Sequence, residues 1–229
     1  MKLSLCMMTL DGADRIEKCL LNFVGMVDQI VICVDDKTVD STREVAAKIT
    51  NEVYDFTFVH WGQAKDNMLQ YLTGDWILLM DDDEDMSIED IGMLKTVIET
   101  APLDVDLYVV PRRHWLDLSC TKLDETRPYP DYQLRLHRNV DYIKCGNKFA
   151  HASPSGYNKS EIIPYDIHIN HYNKVYHDRD WHLRRYQMYD ELFHKYEGIS
   201  YLEFIKEHVN PLVQKIEECL PTFKPEDKE

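Results

Sequence analysis

The chain has 229 residues, with 26 Lys and Arg against 41 Asp and Glu, a formal net charge of −15 at pH 7. Hydrophobic residues make up 44% and charged residues 29%, too apolar for intrinsic disorder and ample for the core of one large domain, with or without a small appendage. The acidic balance excludes nucleic-acid binding, which rests on a basic face, but not a small phosphorylated ligand held by a few cations or one metal ion. No apolar run reaches the ~20 residues of a membrane span, and Asp11 breaks the apolar start too soon for a secretory signal. A cytoplasmic chain, at most peripheral at a membrane, is expected. Cys6, Cys19, Cys33, Cys120, Cys145 and Cys219 show no C-x-x-C spacing and read as buried, reduced thiols.

In chain order, Leu3–Met8 is an apolar strand. Asp11, with Asp14 three residues on, is a helix cap before Ile16, Cys19, Leu20 and Phe23. A second strand over Gln29–Val34 precedes a helix over Ser41–Ile49. Val53–Val59 and Gln63–Leu72 form the next strand and helix. Trp76–Met80 is a fourth strand, ending abruptly in acids, and Ser87–Glu99 a helix with a Ser87/Asp90 cap pattern. Strands so continuously apolar, alternating with helices, predict an α/β fold with a mostly parallel sheet covered on both faces. Ligands of such sheets bind beyond the carboxyl ends of the strands. That directs attention to Thr9–Gly12, Asp35–Asp40 and Asp81–Glu84.

The second half differs. Val105–Pro111 and Tyr132–His137 read as strands, the latter with Gln133 and Arg135 on a wet face, and Gly and Pro punctuate a loop-rich stretch up to Pro164. From Asp178 the pattern is helical, first with Trp181, Arg184, Arg185, Met188 and Leu192, then from Tyr201 to Cys219. The division is therefore a catalytic domain over 1–173, a helical appendage over 174–220 and a polar tail over 221–229. Each apolar stripe of the appendage must be buried against the domain, the other helix or a second copy of the chain, so a homodimer through these helices is one of three readings. Arg184 or Arg185 would then be placed to hold an anionic acceptor.

Asp81-Asp82-Asp83-Glu84-Asp85 at a strand end is the sharpest feature. Consecutive carboxylates repel, and a hard divalent cation such as Mg²⁺ or Mn²⁺ takes one or two of them while phosphates and water fill its other sites. Asp81 and Asp83, two apart, can face one ion or one ligand; a solvated acidic turn is the plain alternative. Asp35 is placed to accept from a base N–H or ribose hydroxyls, whereas Asp40 equally well caps the following helix.

Leu3–Met8, Val27–Thr42 (VDQIVICVDDKTVDST), Gln63–Asn67 and Thr73–Glu84 (TGDWILLMDDDE), in that order and spacing, resemble the family-2 glycosyltransferases of the GT-A fold. A weaker similarity to bacterial lipopolysaccharide-type members runs through Tyr129–Arg138 and Gly146–His151. The resemblance implies a GT-A sheet with helices on both faces and a nucleotide-sugar donor, usually a UDP-sugar, with UDP-glucose the first choice. Mn²⁺ or Mg²⁺ would bridge its diphosphate to the D-x-D motif. Asp83 would be the main metal ligand, Asp81 would share the ion or face the ribose, and Asp82 would lie in the donor site. Asp35 would contact uracil or ribose, Thr9 and Leu10 would border the base through their backbone, and Lys65 would stand near the nucleotide. A late histidine is a further metal ligand in many members: His171 first here, His151 second. Three positions depart: Gly12 replaces a common acid, Lys37 a common Gly, and Ala152 the Glu that often follows the histidine.

Inverting transfer also needs a carboxylate to take the acceptor's proton. Asp117, Asp124, Glu125 and Asp131 qualify by type; Asp131, beside Pro130 and Tyr132 at the start of a strand, is the choice. Arg135 and Arg138 are alternatives for meeting phosphates. The expected function is a metal-dependent, inverting hexosyltransferase acting on a glycan or glycolipid hydroxyl. A non-catalytic nucleotide-sugar-binding module is the alternative. A phosphotransferase with an aspartyl nucleophile ranks last, because that chemistry expects its motif on the first strand.

Overall fold

The strand residues alternate in allegiance rather than in polarity. Leu3, Leu5 and Met7, with Ile30, Ile32, Val34, Trp76, Leu78 and Met80, feed one buried cluster. Their neighbours Cys6, Met8, Val31, Cys33, Ile77 and Leu79 feed a second cluster. Both faces are thus apolar, and the continuous runs that the sequence showed are two-sided strands. A register slip of one residue would exchange the two faces, so the pairing is strongly specified.

The computed structural model describes residues 1–146 and 152–203. The chain divides into two compact units, Met1–Asp178 and Arg179–Glu229. In the first, the strands are β1 (Leu3–Thr9), β2 (Gln29–Asp35), β3 (Val53–Phe56), β4 (Trp76–Asp81), β5 (Glu84–Asp85), β6 (Leu107–His114), β7 (Asp131–Arg138), β8 (Ser160–Ile162) and β9 (Ile169–His171). They form one sheet in the order β3-β2-β1-β4-β7-β6-β9-β5, with β8 beside β6. β3, β2, β1 and β4 run parallel, β7 is antiparallel to β4 and β6, and β9 runs parallel to β6. Helices α1 (Ile16–Leu20), α2 (Thr42–Ile49) and α4 (Ile88–Thr100) supply residues to the first cluster, and α3 (Trp61–Leu69) supplies Ala64 and Met68 to the second. The sheet is therefore covered on both faces, as expected. α5 (Asn173–Tyr176) closes the unit.

Some local expectations change. Asp11 does not cap α1, which starts at Ile16 after Arg15 without a side-chain cap. Its Oδ1 instead accepts the Val39 and Asp40 N–H groups at 2.8 and 3.3 Å, tying the end of β1 to the turn before α2. β3 stops at Phe56, short of the expected Val59, and α3 begins at Trp61, where His60 accepts the Gln63 N–H at 3.2 Å. The Ser87 cap is present, its Oγ accepting the Asp90 N–H at 3.0 Å. Cys6, Cys19, Cys33, Cys120 and Cys145 are free thiols; Cys219 lies outside the described residues.

The second unit holds α6 (Arg179–Tyr196). Tyr189 and Phe193 pack on Tyr201 with ring centroids 4.9 and 5.3 Å apart. Arg185 lies over Trp181 at 5.0 Å and donates to the Tyr189 hydroxyl at 2.9 Å. Residues 201–203 are helical; the rest of the expected second helix and the tail lie outside the described residues.

Candidate active site

The strand order reverses direction at β1, whose neighbours β2 and β4 bracket it, and Thr9, Asp35 and Asp81 stand at the three parallel carboxyl ends. This is the crevice that open α/β sheets use for ligands. A Cβ at Gly12 would come within 2.1 Å of the Thr9 Oγ1 and 3.1 Å of the Asp82 Oδ2, so any larger residue there must displace the Thr9 side chain.

Each acid of the run has its own partner, and most of the partners belong to the protein. Arg135 clasps Asp81, with one contact of 3.1 Å, and its Nη2 also reaches the Glu84 Oε1 at 2.8 Å. Arg112 Nη1 holds the same Glu84 oxygen at 2.9 Å. Asp82 Oδ2 accepts from Thr9 Oγ1 at 2.8 Å and Arg15 Nη2 at 2.7 Å. Asp85 takes Lys18 at 2.8 Å, Asn170 at 2.9 Å and the Tyr172 hydroxyl at 3.0 Å. The repulsion that pointed to an external cation is therefore relieved largely by Arg15, Lys18, Arg112 and Arg135. Arg135 is corrected accordingly: only 5% exposed, it lies in a buried ion network and not on a wet face.

Asp83 differs from the rest. Its Oδ2 faces His171 Nε2 at 3.2 Å, His177 Nε2 at 3.5 Å and Asn173 Nδ2 at 3.3 Å. The β5–β9 pairing opposes Glu84 to His171, and the Tyr172 N–H donates to the Asp83 carbonyl at 2.9 Å, which fixes this approach. Burial opposes charge on Asp83, yet the two histidines hold its carboxyl well below the usual range. Asp81 is likewise held low, Arg135 and Lys65 outweighing burial, whereas burial pushes Asp82 and Asp35 up.

Asp35 is buried and its Oδ1 accepts the Lys37 N–H at 2.9 Å. Leu10 is exposed, and its carbonyl accepts from Arg15 at 3.1 Å. Lys65 reaches the Ala152 carbonyl at 3.0 Å, and burial lowers its ammonium. Asp131, at the start of β7, is joined to the acid loop through Arg112, which also holds Glu84, and through His114, which meets His171. Its Oδ2 receives Arg112 Nε at 2.9 Å, Arg112 Nη2 at 2.7 Å and His114 Nε2 at 2.8 Å, and its Oδ1 receives Gln133 Nε2 at 2.9 Å. Burial would raise its carboxyl, but His114 and Arg112 bring it well below the usual range. Such a carboxylate is a weak proton acceptor. The structure therefore gathers Thr9, Asp35, Lys65, Asp81, Asp82, Asp83 and His171 around the ends of the central strands. His151, the second histidine, lies outside the described residues.

Sequence reasoning gave no role to Glu84, Arg15, Lys18, Arg112, His114, Asn173 or His177. Only Glu84 carried a signal, as the fourth acid of the run. A small hollow of about 10 Å³, room for about one water, adjoins His171 and Asn173, bounded also by Trp115, Arg127 and Lys174. Among the described residues, no three His, Cys, Asp or Glu side chains form a ready-made metal cage. No described helix is long and apolar enough to cross a membrane.

A mostly parallel sheet with two apolar faces and an acid loop after its fourth strand is the layout expected of the GT-A fold. Residues 4–162 match the model of glycosyl transferase family 2, and the chain belongs to that family. It resembles the S. aureus TarS structure in complex with UDP-GlcNAc at 12% identity, covering 93% of this chain and 78% of that one, with a TM-score of 0.56. The structure of TarS 1-349 is similar at 13% identity, covering 93% and 77%, with a TM-score of 0.55. A TPR repeat-containing protein of Synechococcus elongatus is 31% identical over 93 residues, 38% of this chain and 22% of that protein. The chain thus spans about a fifth of the length of that curated relative.

Proposed function

We propose that this chain is a metal-dependent glycosyltransferase that moves a sugar, with inversion, from a UDP-sugar to a hydroxyl of a glycan or glycolipid. UDP-glucose is the first donor to test. The observation that carries the reading is Asp83, beyond the carboxyl end of β4, with its Oδ2 turned to His171 and His177 while its neighbours are neutralised by arginines. The domain division at 1–173 and 174–220 is part of the same proposal, as is a homodimer through the C-terminal helices.

The donor set fits a divalent ion. One carboxylate oxygen and an imidazole nitrogen suit Mn²⁺ better than Mg²⁺, which prefers oxygen alone, and two protein donors leave room for diphosphate oxygens and water. Asp83 and His171 would hold it, and when bound it stabilises charge building on the leaving diphosphate. Asp81, clasped by Arg135, serves the ribose side. Asp35 receives uracil or ribose, Thr9 and Leu10 border the base, Asp82 braces the loop from within the donor site, and Lys65 faces the nucleotide. Asp131 is the carboxylate nearest in type to a general base, but its four donors must first loosen for it to take a proton.

That saturation favours a second reading, a module that binds nucleotide-sugar without turnover. Nucleotide release from UDP-glucose with Mn²⁺, measured beside calorimetric binding of UDP, separates the two. Release above the hydrolytic background supports the enzyme; binding without release supports the module; neither overturns both.

A further inference from the structure

We infer that Asp85 is a positioning residue that holds His171 at the metal site by gripping the residue on either side of it. The inference rests on the metal reading above.

Asp85 is the last acid of the run and is only 2% exposed. A buried carboxylate must be saturated with donors, and the identity of its donors gives this one its duty. Across the β5–β9 pairing Asp85 opposes Asn170. Its Oδ1 accepts Asn170 Nδ2 at 2.9 Å and the Tyr172 hydroxyl at 3.0 Å. Its Oδ2 accepts the same hydroxyl at 3.0 Å and Lys18 Nζ at 2.8 Å. Asn170 and Tyr172 are the two chain neighbours of His171.

Strand geometry makes this grip specific. Successive side chains of a strand point to opposite faces, so a carboxylate that takes residues 170 and 172 holds the chain from the face that His171 does not use. The Tyr172 N–H also donates to the Asp83 carbonyl at 2.9 Å, so one residue is tied to two acids of the run through its side chain and its backbone. With the backbone held on both sides, His171 has only its side-chain torsions left to set, and its Nε2 lies 3.2 Å from the Asp83 Oδ2. Each grip is itself braced. Trp115 Nε1 can only donate, so Asn170 turns its Oδ1 to Trp115 at 2.8 Å and its Nδ2 to Asp85. Cys120 Sγ lies 3.2 Å from the Tyr172 hydroxyl. Asp85 thus fixes the approach of the two side chains that would hold the ion, without being a ligand. Groups that stand behind metal ligands in this way are worth about 10–100-fold in affinity.

The test uses the whole chain and Mn²⁺ alone, with affinity read from the electron paramagnetic resonance of the free ion. Asp85→Ala removes both grips and is expected to weaken Mn²⁺ about 10-fold or more. Asp85→Asn keeps an oxygen in the place of Oδ1, where Asn170 and Tyr172 meet, and gives up the oxygen that holds Lys18. It should bind Mn²⁺ within about threefold of wild type, even though loss of the ion pair lowers its urea midpoint. Both variants lose the same charge, so the difference between them reads the hydrogen bonds. Tyr172→Phe keeps the charge and the ring, and its affinity should fall between wild type and Asp85→Ala. Equal affinity in wild type and Asp85→Ala overturns the inference. So does an Asp85→Asn protein as weak as Asp85→Ala, the result of a carboxylate that acts only through its charge or its ion pair. If Asp85→Ala does not fold, Tyr172→Phe takes its place, and wild-type Mn²⁺ affinity in that variant overturns the inference. A wild type that binds no Mn²⁺ overturns the metal reading and this inference with it, whereas the other failures leave the metal reading standing.

Discussion

Glu84 turns back on the strand that precedes it, its Oε2 accepting the Asp81 N–H at 2.9 Å while its Oε1 takes Arg112 and Arg135. The acid loop is thus closed by one of its own members, and the fully buried Glu84 is the pivot on which the two arginines meet. A buried charge is tolerated only when paired and hydrogen-bonded, and this one is both.

Removing Arg135 therefore takes the arginine from Asp81 and leaves Glu84 with Arg112 alone as a cation. Arg135→Leu is expected to cost about 3 kcal/mol or more in unfolding free energy, the scale for breaking a buried pair. Urea denaturation followed by circular dichroism checks it; an unchanged midpoint would show that Arg112 alone satisfies Glu84.

Gly12→Ala brings a methyl group to 2.1 Å from the Thr9 Oγ1. Thr9 must swing away from Asp82, leaving that carboxylate to Arg15 alone, and overpacking of this kind costs about 1–3 kcal/mol. The melting temperature should fall, and a UDP-sugar should bind more weakly because the loop loses one brace. A variant with wild-type stability would mean that Thr9 repacks freely.

The depressed carboxyl of Asp131 makes a pH prediction. Its folded value lies below its unfolded value, so the ionised form stabilises the fold above about pH 4 and that contribution is lost as pH falls through the folded value. The stability gap between wild type and Asp131→Asn should be constant from pH 7 to about 5 and shrink below about 4. A gap that widens on acidification would have the wrong sign for this network.

Asp83→Asn should abolish Mn²⁺-dependent nucleotide release while leaving circular dichroism unchanged, because it removes ligand charge without removing an arginine partner. Turnover like that of wild type at limiting Mn²⁺ would refute Asp83 as the ligand.

Asp35→Ala should raise the KM for a UDP-sugar with little change in kcat, as expected for lost base or ribose contacts that are equal in ground and transition states. An unchanged KM would leave Asp35 with only its turn, where it holds the Lys37 N–H.

The sequence by itself determined the layered sheet, its central strands and the acid run, because those rest on local pattern: two-sided apolar runs, helix spacing, and carboxylates directly after a strand. It also singled out Asp83 and His171, which the fold brings within 3.2 Å. Tertiary structure alone decided which acid faces what. Arg112, Arg135, His114 and His171 come from β6, β7 and β9, and their meeting with residues 81–85 depends on long-range register that no local pattern encodes. Alternation placed Arg135 on a wet face because it knows only the strand's own period, whereas the covering loop of Asp81 and Glu84 turns that face into an interior. The same physics recast Asp131: a carboxylate before a strand reads as an available base until two partners on the neighbouring strand are seen to hold it.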